Sequence, residues 1–351
     1  MRIWIVDAFA DQAFAGAQSG VMPLEAWLSD EALAALAAEC RMPEMAFFAP
    51  GEVKGNYTLR LFGAGGEVPI SGHSALAAGA VLLEEIDPEA GMAVFDSPSG
   101  PLVVRRTEEG ITLDLPRKAR FPWDPPSGLA EALGGANIVD AFGAEYATVV
   151  LSSEAAVRRL EPDLAAIAKL VRGPRAGCLA VTAQADDDKP YDFVTRFFAP
   201  GLGAPEDSVM GASFADTAPY WADRLGLEDV VVLQCSKRGG VARATPSLSS
   251  VRLLGKAAIF LRGEVDGAVV KRLARRVRKS TRKKPLPSMS DAADLLPNPA
   301  LAKLESKELE VRVHDWAPSD LDVAVFELDG AGEEGPALEA VEVRDLPRLG
   351  E

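Results

Sequence analysis

Two short segments, Gly72-His73-Ser74 and Gly211-Ala212-Ser213, each follow a loop of small residues and open a run of helix formers. The first N–H groups of a helix have no partner within it, and the helix dipole adds partial positive charge there. Glycine lets a ligand come close to that backbone. Ser71, Gly72, Ser74, Gly211, Ala212 and Ser213 are therefore candidate binding residues for an anionic group, such as the carboxylate of a small molecule. Each Gly–x–Ser start taken alone is also an ordinary helix cap. Two of them facing one cleft would form a site.

Three titratable residues stand near these loops. Glu44 lies in CRMPEMAFF, between a helix and an apolar run. It reads either as an exposed turn carboxylate or as a poorly solvated one, raised toward the range useful for proton transfer. His73 is either a cap or packing residue or a member of the site. Asp207, with Glu206 beside it, precedes the second helix, where an acid is commonly a cap. Removing a proton from carbon needs a base and stabilisation of the developing enolate-like charge. Amides at two helix starts can supply the second requirement.

The elements that must position these residues alternate between strands and a few helices. Residues 2–7, 45–49 and 57–62 read as strands, 29–40 as a helix capped by Ser29 or Asp30, and 74–85 as a helix of small residues. Strand candidates follow at 92–95, 102–105 and 111–115. A polar, proline-containing stretch, 116–128, reads as a linker. Strands at 147–152 and 177–183 flank a helix at 161–172, and further strands are expected within 230–240 and 251–265.

The segment from Tyr191 to Gly226 repeats the plan of the segment from Tyr57 to Glu85. Each has a Tyr-initiated strand carrying Arg then Phe (Arg60 and Phe62; Arg196 and Phe198), a Gly/Pro loop, and a Gly–x–Ser helix start. The second loop is three residues longer. This predicts an internal duplication within an α+β chain. The expected organisation is an N-terminal half at 1–118, a C-terminal half at 129–267, and an extension at 268–351. The extension has a basic stretch at 271–285 and alternating strand candidates within 308–346, read as a small β appendage.

Bulk properties exclude several classes. The 351 residues carry a net charge of −15, which opposes general binding to nucleic acid. No apolar run approaches about 18 residues, so no membrane span is expected. The N-terminal run lacks a secretory pattern, so a cytoplasmic location is expected. The histidines, His73 and His314, and the cysteines, Cys40, Cys178 and Cys235, are scattered, so neither a metal site nor a disulfide framework is expected.

VDAFADQAFAG, MPEMAFF, YTLRLFGAGGEVPISGHSALAAGAVL and RFFAPGLGAPEDSVMGASFADTAPYWADRLG resemble the PhzF (phenazine-biosynthesis) family, as do LQCSKRGGVARA and VRLLGKAAIFLRGEV. The similarity runs in order along residues 1 to about 266. It implies the diaminopimelate epimerase fold, two pseudo-symmetric halves that are each a curled mixed sheet around a central helix. It also implies a cofactor-independent isomerase, often a homodimer, acting on a small carboxylated substrate. In the family, a Glu matching Glu44 moves a proton between carbon atoms. Residues matching His73 and Asp207 lie beside it, and glycine-loop amides bind the substrate.

This chain departs from the family pattern at Ala17, Met45, Met210 and Ala212, where Asn, Thr, Thr and Ser are usual. The lost polar groups imply a different or less polar substrate. The alternative is a catalytically inactive relative that binds a small molecule or protein through the cleft or the C-terminal extension. Retention of Glu44, His73 and Asp207 together favours activity.

Overall fold

The N-terminal run forms a strand paired on both sides, in a computed structural model that describes residues 1–63, 66–68, 70–173, 175–268, 270 and 272. These residues belong to one compact unit, Met1–Arg282. Apart from 268, 270 and 272, the expected appendage lies outside the described residues, including the strand candidates within 308–346.

Among the described residues the first half contains β1 (Arg2–Ala8), β2 (Ala17–Pro23), β3 (Glu44–Pro50), β4 (Asn56–Gly63), β5 (Gly66–Val68), β6 (Met92–Ser97), β7 (Gly100–Arg106), β8 (Ile111–Pro116) and β9 (Phe121–Pro122). The second contains β10 (Ile138–Gly143), β11 (Ala147–Leu151), β12 (Leu179–Gln184), β13 (Phe193–Phe198), β14 (Glu206–Asp207), β15 (Val230–Gln234), β16 (Gly240–Pro246), β17 (Ser250–Gly255) and β18 (Ala257–Glu264).

The pairing repeats strand for strand. β1–β2 is antiparallel, β2–β3 parallel, β3–β4 antiparallel, β4–β6 parallel, and β6–β7–β8 antiparallel, with β5 folded onto β4. β10 to β17 follow the same order and sense, with β14 folded onto β13. β8 pairs with β17 and joins the halves. Each half also ends beside the other's first strand, as β9 pairs with β10 and β18 with β1. The fold is the α+β, pseudo-symmetric class expected.

The stretch 116–128 is therefore more than a linker. It carries β9, whose Phe121 and Pro122 register with Gly143 and Phe142. Its polarity and prolines reflect an exposed edge position, where proline is tolerated. The run 230–240 also divides, with β15 and β16 separated by a turn at Ser236–Gly239.

The first half also holds α1 (Asp30–Cys40) and α2 (Gly72–Ala80), which continues as one wider turn over Val81–Ile86. Ser29 caps α1 by accepting from the Ala32 amide. The second half holds α3 (Leu129–Ala132), α4 (Glu154–Arg158), α5 (Leu164–Leu170) and α6 (Gly211–Leu225). α2 packs on β1, β2, β3, β7 and β8, and α6 on β12, β15, β16 and β17.

Every residue of α2 is buried, which explains its GHSALAAGA composition. A curled sheet leaves room for small side chains only. A Cβ on Gly79 would already meet Val104 at 3.1 Å. One hydrophobic cluster runs through both halves, from Trp4, Leu76 and Phe95 to Phe214, Trp221 and Leu253. Each such large side chain contributes about 1.5–3 kcal/mol on full burial.

The repeated Arg and Phe have matching structural roles. Arg60 grips Glu67 bidentately across the β4–β5 hairpin, and Arg196 grips Glu206 across β13–β14. Each guanidinium also lies over the Phe two residues on, at 5.3 Å for Phe62 and 4.8 Å for Phe198. These clamps hold the hairpins that lead into α2 and α6.

Candidate active site

α2 and α6 meet end to end at two glycines. A Cβ on Gly72 would stand 3.0 Å from the Gly211 Cα, and one on Gly211 would stand 3.1 Å from the Gly72 Cα. Close approach of two backbones thus requires glycine here. Both positive dipole ends point at the same place, an unfavourable arrangement that an anion between them would relieve.

The caps differ. Ser71 caps α2, its Oγ accepting from the Ser74 amide at 3.4 Å. The Gly72 and His73 amides have no acceptor within the helix. α6 has no side-chain cap at Met210. Ser213 is fully buried, its amide bonds Met210 O at 3.0 Å, and its Oγ donates to that same oxygen at 3.0 Å. The hydroxyl displaced one position along the chain turns inward and secures its own helix. The Gly211 and Ala212 amides are the ones left open at this start.

Glu44 begins β3 opposite Gly63, with neighbouring Met45 buried against Gly20. Ser74 Oγ donates to Glu44 Oε2 at 2.7 Å. Ser19 Oγ lies 2.7 Å from Ser74 Oγ. A hydroxyl has one proton to give, and Ser74 gives its proton to Glu44, so Ser19 donates to Ser74. The resulting Ser19–Ser74–Glu44 chain fixes one carboxylate oxygen, while the Glu44 side chain stays 19% exposed. His73 Nε2 is 3.3 Å from the same oxygen, close but not aligned as a hydrogen bond, and its Nδ1 lies 3.3 Å from Ser71 Oγ.

Asp207 ends β14. Its Oδ1 accepts from the Val209 amide at 3.0 Å. Burial pushes its carboxyl above the ordinary carboxylate range; nearby His73 opposes that shift and Glu44 adds to it. The three titratable residues therefore share one electrostatic neighbourhood. Gln234 clamps the loop leading to α6: its Nε2 donates to Asp207 O at 2.7 Å, and its Oε1 accepts from the Met210 amide at 2.9 Å.

Ser19 and Gln234 carry no local sequence signal for these roles, because each acts on residues distant along the chain. Gly16 is another positioning residue. It sits at φ +67°, where a Cβ would stand 2.1 Å from Ala8 O. Its carbonyl accepts from Arg238, which also pairs with buried Asp7 and so ties the halves together.

Ala212 lines a cavity of about 190 Å³ with Ile70, Leu115, Lys118, Arg175 and Asp216. A larger cavity of about 600 Å³ lies against Phe9, Arg238 and Gly240, and none of Glu44, His73 or Asp207 lines it. Among the described residues, no three His, Cys, Asp or Glu side chains are grouped to hold a metal ion. No helix among them is long and apolar enough to cross a membrane.

Residues 6–263 match the family model for phenazine biosynthesis-like proteins, PhzC-PhzF. The chain belongs to the PhzF family. Over 263 residues it is 38% identical to an uncharacterized isomerase of Pseudomonas aeruginosa, covering 75% of this chain and 98% of that one. It is 34% identical to the mouse phenazine biosynthesis-like domain-containing protein 1, covering 68% and 90%. The crystal structure of an Enterococcus faecalis PhzF-family protein superposes with a TM-score of 0.69 at 34% identity, covering 75% of this chain and 98% of that one. This PhzF-family chain thus has relatives named as isomerases.

Proposed function

We propose that this PhzF-family chain is a cofactor-independent isomerase that moves a proton on a small carboxylate-bearing substrate, with Glu44 as the acid–base group. The observation that carries the reading is the position of the Glu44 carboxylate. It is held by Ser74 at the start of α2, with His73 at 3.3 Å, where Gly72 and Gly211 bring two helix starts together.

In this reading the substrate carboxylate binds the free amides of Gly72, His73, Gly211 and Ala212. Glu44 then takes a proton from carbon. The C–H bond breaks, its electron pair moves into the adjoining conjugated system, and the developing negative charge is met by those amides. The same carboxyl group returns the proton to another carbon, so no atom is gained or lost. A Ser71 hydroxyl donating to Nδ1 leaves the His73 ring proton on Nε2, the nitrogen 3.3 Å from Glu44 Oε2. Asp207, raised by burial, is suited to hold a proton near the substrate. Partial burial of Glu44 limits proton loss to water. The family resemblance supports a homodimer. The acidic charge disfavours general nucleic-acid binding.

The test is exchange of substrate C–H hydrogen in heavy water, followed by NMR over a panel of small unsaturated and cyclic carboxylic acids. Exchange with the native chain and its loss in Glu44→Gln support the reading. Equal exchange in both removes Glu44 from the acid–base role. Exchange in neither favours a binding module of the same fold.

A further inference from the structure

The loop between β1 and β2 holds a large apolar ring out in solvent. Phe14 is 76% exposed and sits at φ +72°, a left-handed backbone that a bulky side chain rarely adopts. Its surroundings fix it there. The Phe14 amide donates to Oδ2 of buried Asp7 at 2.8 Å. The other Asp7 oxygen pairs with Arg238 at 2.7 Å, and Arg238 also donates to Ala15 O at 3.0 Å. A strained residue persists only where its neighbours over-determine it, and the single chain gains little burial from this ring.

β18 adds to the same surface. Its register with β1 slips by one residue: Ile5 faces Leu261, Val6 faces Ile259, and Phe260 is left over as a bulge. Phe260 is 45% exposed and Leu261 39%. The Phe14 and Phe260 rings meet edge to face at 5.3 Å. A hollow lies beside them. Ala15, next in the chain to Phe14, lines the cavity of about 600 Å³ with Phe9, Ala10 and Val241, and Lys256 at the head of β18 lines it too. Contiguous exposed apolar side chains rimmed by charge mark an interaction surface.

Charge identifies the occupant. Lys256 and Glu264 are both exposed and stand four residues to either side of Phe260. A two-fold axis at Phe260 sets two β18 strands antiparallel, which brings Lys256 of each copy toward Glu264 of the other. One surface thus carries a ring and a hollow, and both signs of charge, as self-complementary contact between identical chains needs.

We propose that a second copy of this chain docks here by two-fold symmetry, burying Phe14, Phe260 and Leu261. This assigns a surface to the homodimer read from family likeness and rests on that homodimer, not on the proton transfer. None of Glu44, His73 or Asp207 belongs to the surface.

Sedimentation velocity of the full chain over a dilution series tests it. The native chain is expected to be dimeric. Phe260→Asp should raise the dimer dissociation constant about tenfold or more, as loss of a central aromatic anchor does. Phe14→Asn should do the same. Asn tolerates φ +72° better than Phe, so this variant, once monomeric, should resist urea at least as well as the native monomer. A ring needed only to fold the loop would give the opposite result. Lys256→Glu and Glu264→Lys should each weaken the dimer about threefold or more, and combining them should restore it. Leu248→Asp, at a nearly fully exposed site beyond the far end of β16, should leave the dimer intact. A dimer that Phe14→Asn and Phe260→Asp leave intact, or that Leu248→Asp disrupts equally, keeps the homodimer and overturns this surface. A monomeric native chain overturns both and leaves the patch to a different partner.

Discussion

Gly72 and Gly211 touch backbone to backbone, and this contact joins the two central helices at their positive ends. Adding one methyl group at either glycine forces backbone atoms apart, because the atoms met at about 3 Å belong to the main chain and cannot rotate away. Gly72→Ala and Gly211→Ala are each expected to lower stability by about 1–3 kcal/mol, the usual cost of overpacking. They should also weaken binding of a carboxylate at the helix starts. Urea unfolding beside ligand titration checks both. A fully stable, fully binding Gly72→Ala protein would show that the two helix starts do not need to meet.

Ser74 gives its only hydroxyl proton to Glu44 and receives one from Ser19. Ser74→Ala therefore frees the carboxylate without removing it. Proton exchange should fall by about tenfold or more, mostly in kcat, because loss of one hydrogen bond to a charged group is worth about 1.5–3 kcal/mol. Ser19→Ala leaves the Ser74–Glu44 bond in place and should cost less. If Ser19→Ala costs more than Ser74→Ala, the chain of hydroxyls runs in the wrong direction.

The repeat was the part of the molecule most legible in the sequence, because local chemistry writes it. Arg60 and Arg196 each clamp an acid on the next strand of a hairpin, so their spacing to Phe62 and Phe198 recurs. Glu44, His73 and Asp207 stand out only through family likeness; their residue types alone leave ordinary caps and turns open. The spacing does not decide how Ser213 points, because a hydroxyl at a helix start can turn either outward or back to its own helix, as it does here toward Met210 O. Ser19, Gln234 and Asp216 gave no signal. Each works across the fold, at 55, 24 and 70 residues from its partner, and burial rather than pattern gives it its role.

Gln234 holds the Asp207 carbonyl and the Met210 amide with the two ends of one side-chain amide. Gln234→Leu keeps the volume but leaves both backbone groups unpaired. A loss of about 1–3 kcal/mol per stranded group is expected. Asp207 should then move relative to His73, so exchange activity should drop more than Tm alone explains. Gln234→Glu retains an acceptor for Met210 and should fall between the native chain and the Leu variant. Equal stability of native and Leu proteins would rule out the clamp.

Asp216 makes stability depend on pH in a direction opposite to that of most carboxylates. Burial is the main cause, helped by Glu145 and opposed by the Tyr146 and Glu145 amides and by Lys118, and it raises the carboxyl from 3.8 to about 7. Below about pH 4 the group is protonated whether the chain is folded or not, and it has no effect on folding. Between about pH 4 and 7 the unfolded chain releases the proton while the folded chain holds it. Stability therefore falls as pH rises across that window, by about 4 kcal/mol in all at 1.36 kcal/mol per unit, and levels off above about pH 7. Asp216→Asn removes the titration. Its stability relative to the native chain should rise between pH 5 and pH 8 by about 2–4 kcal/mol, measured by urea unfolding at each pH. A gap that stays constant across this range would mean that Asp216 ionises as freely in the folded chain as in the unfolded one. The cavity would then have to supply it with more solvent or more donors than the Tyr146 and Glu145 amides provide.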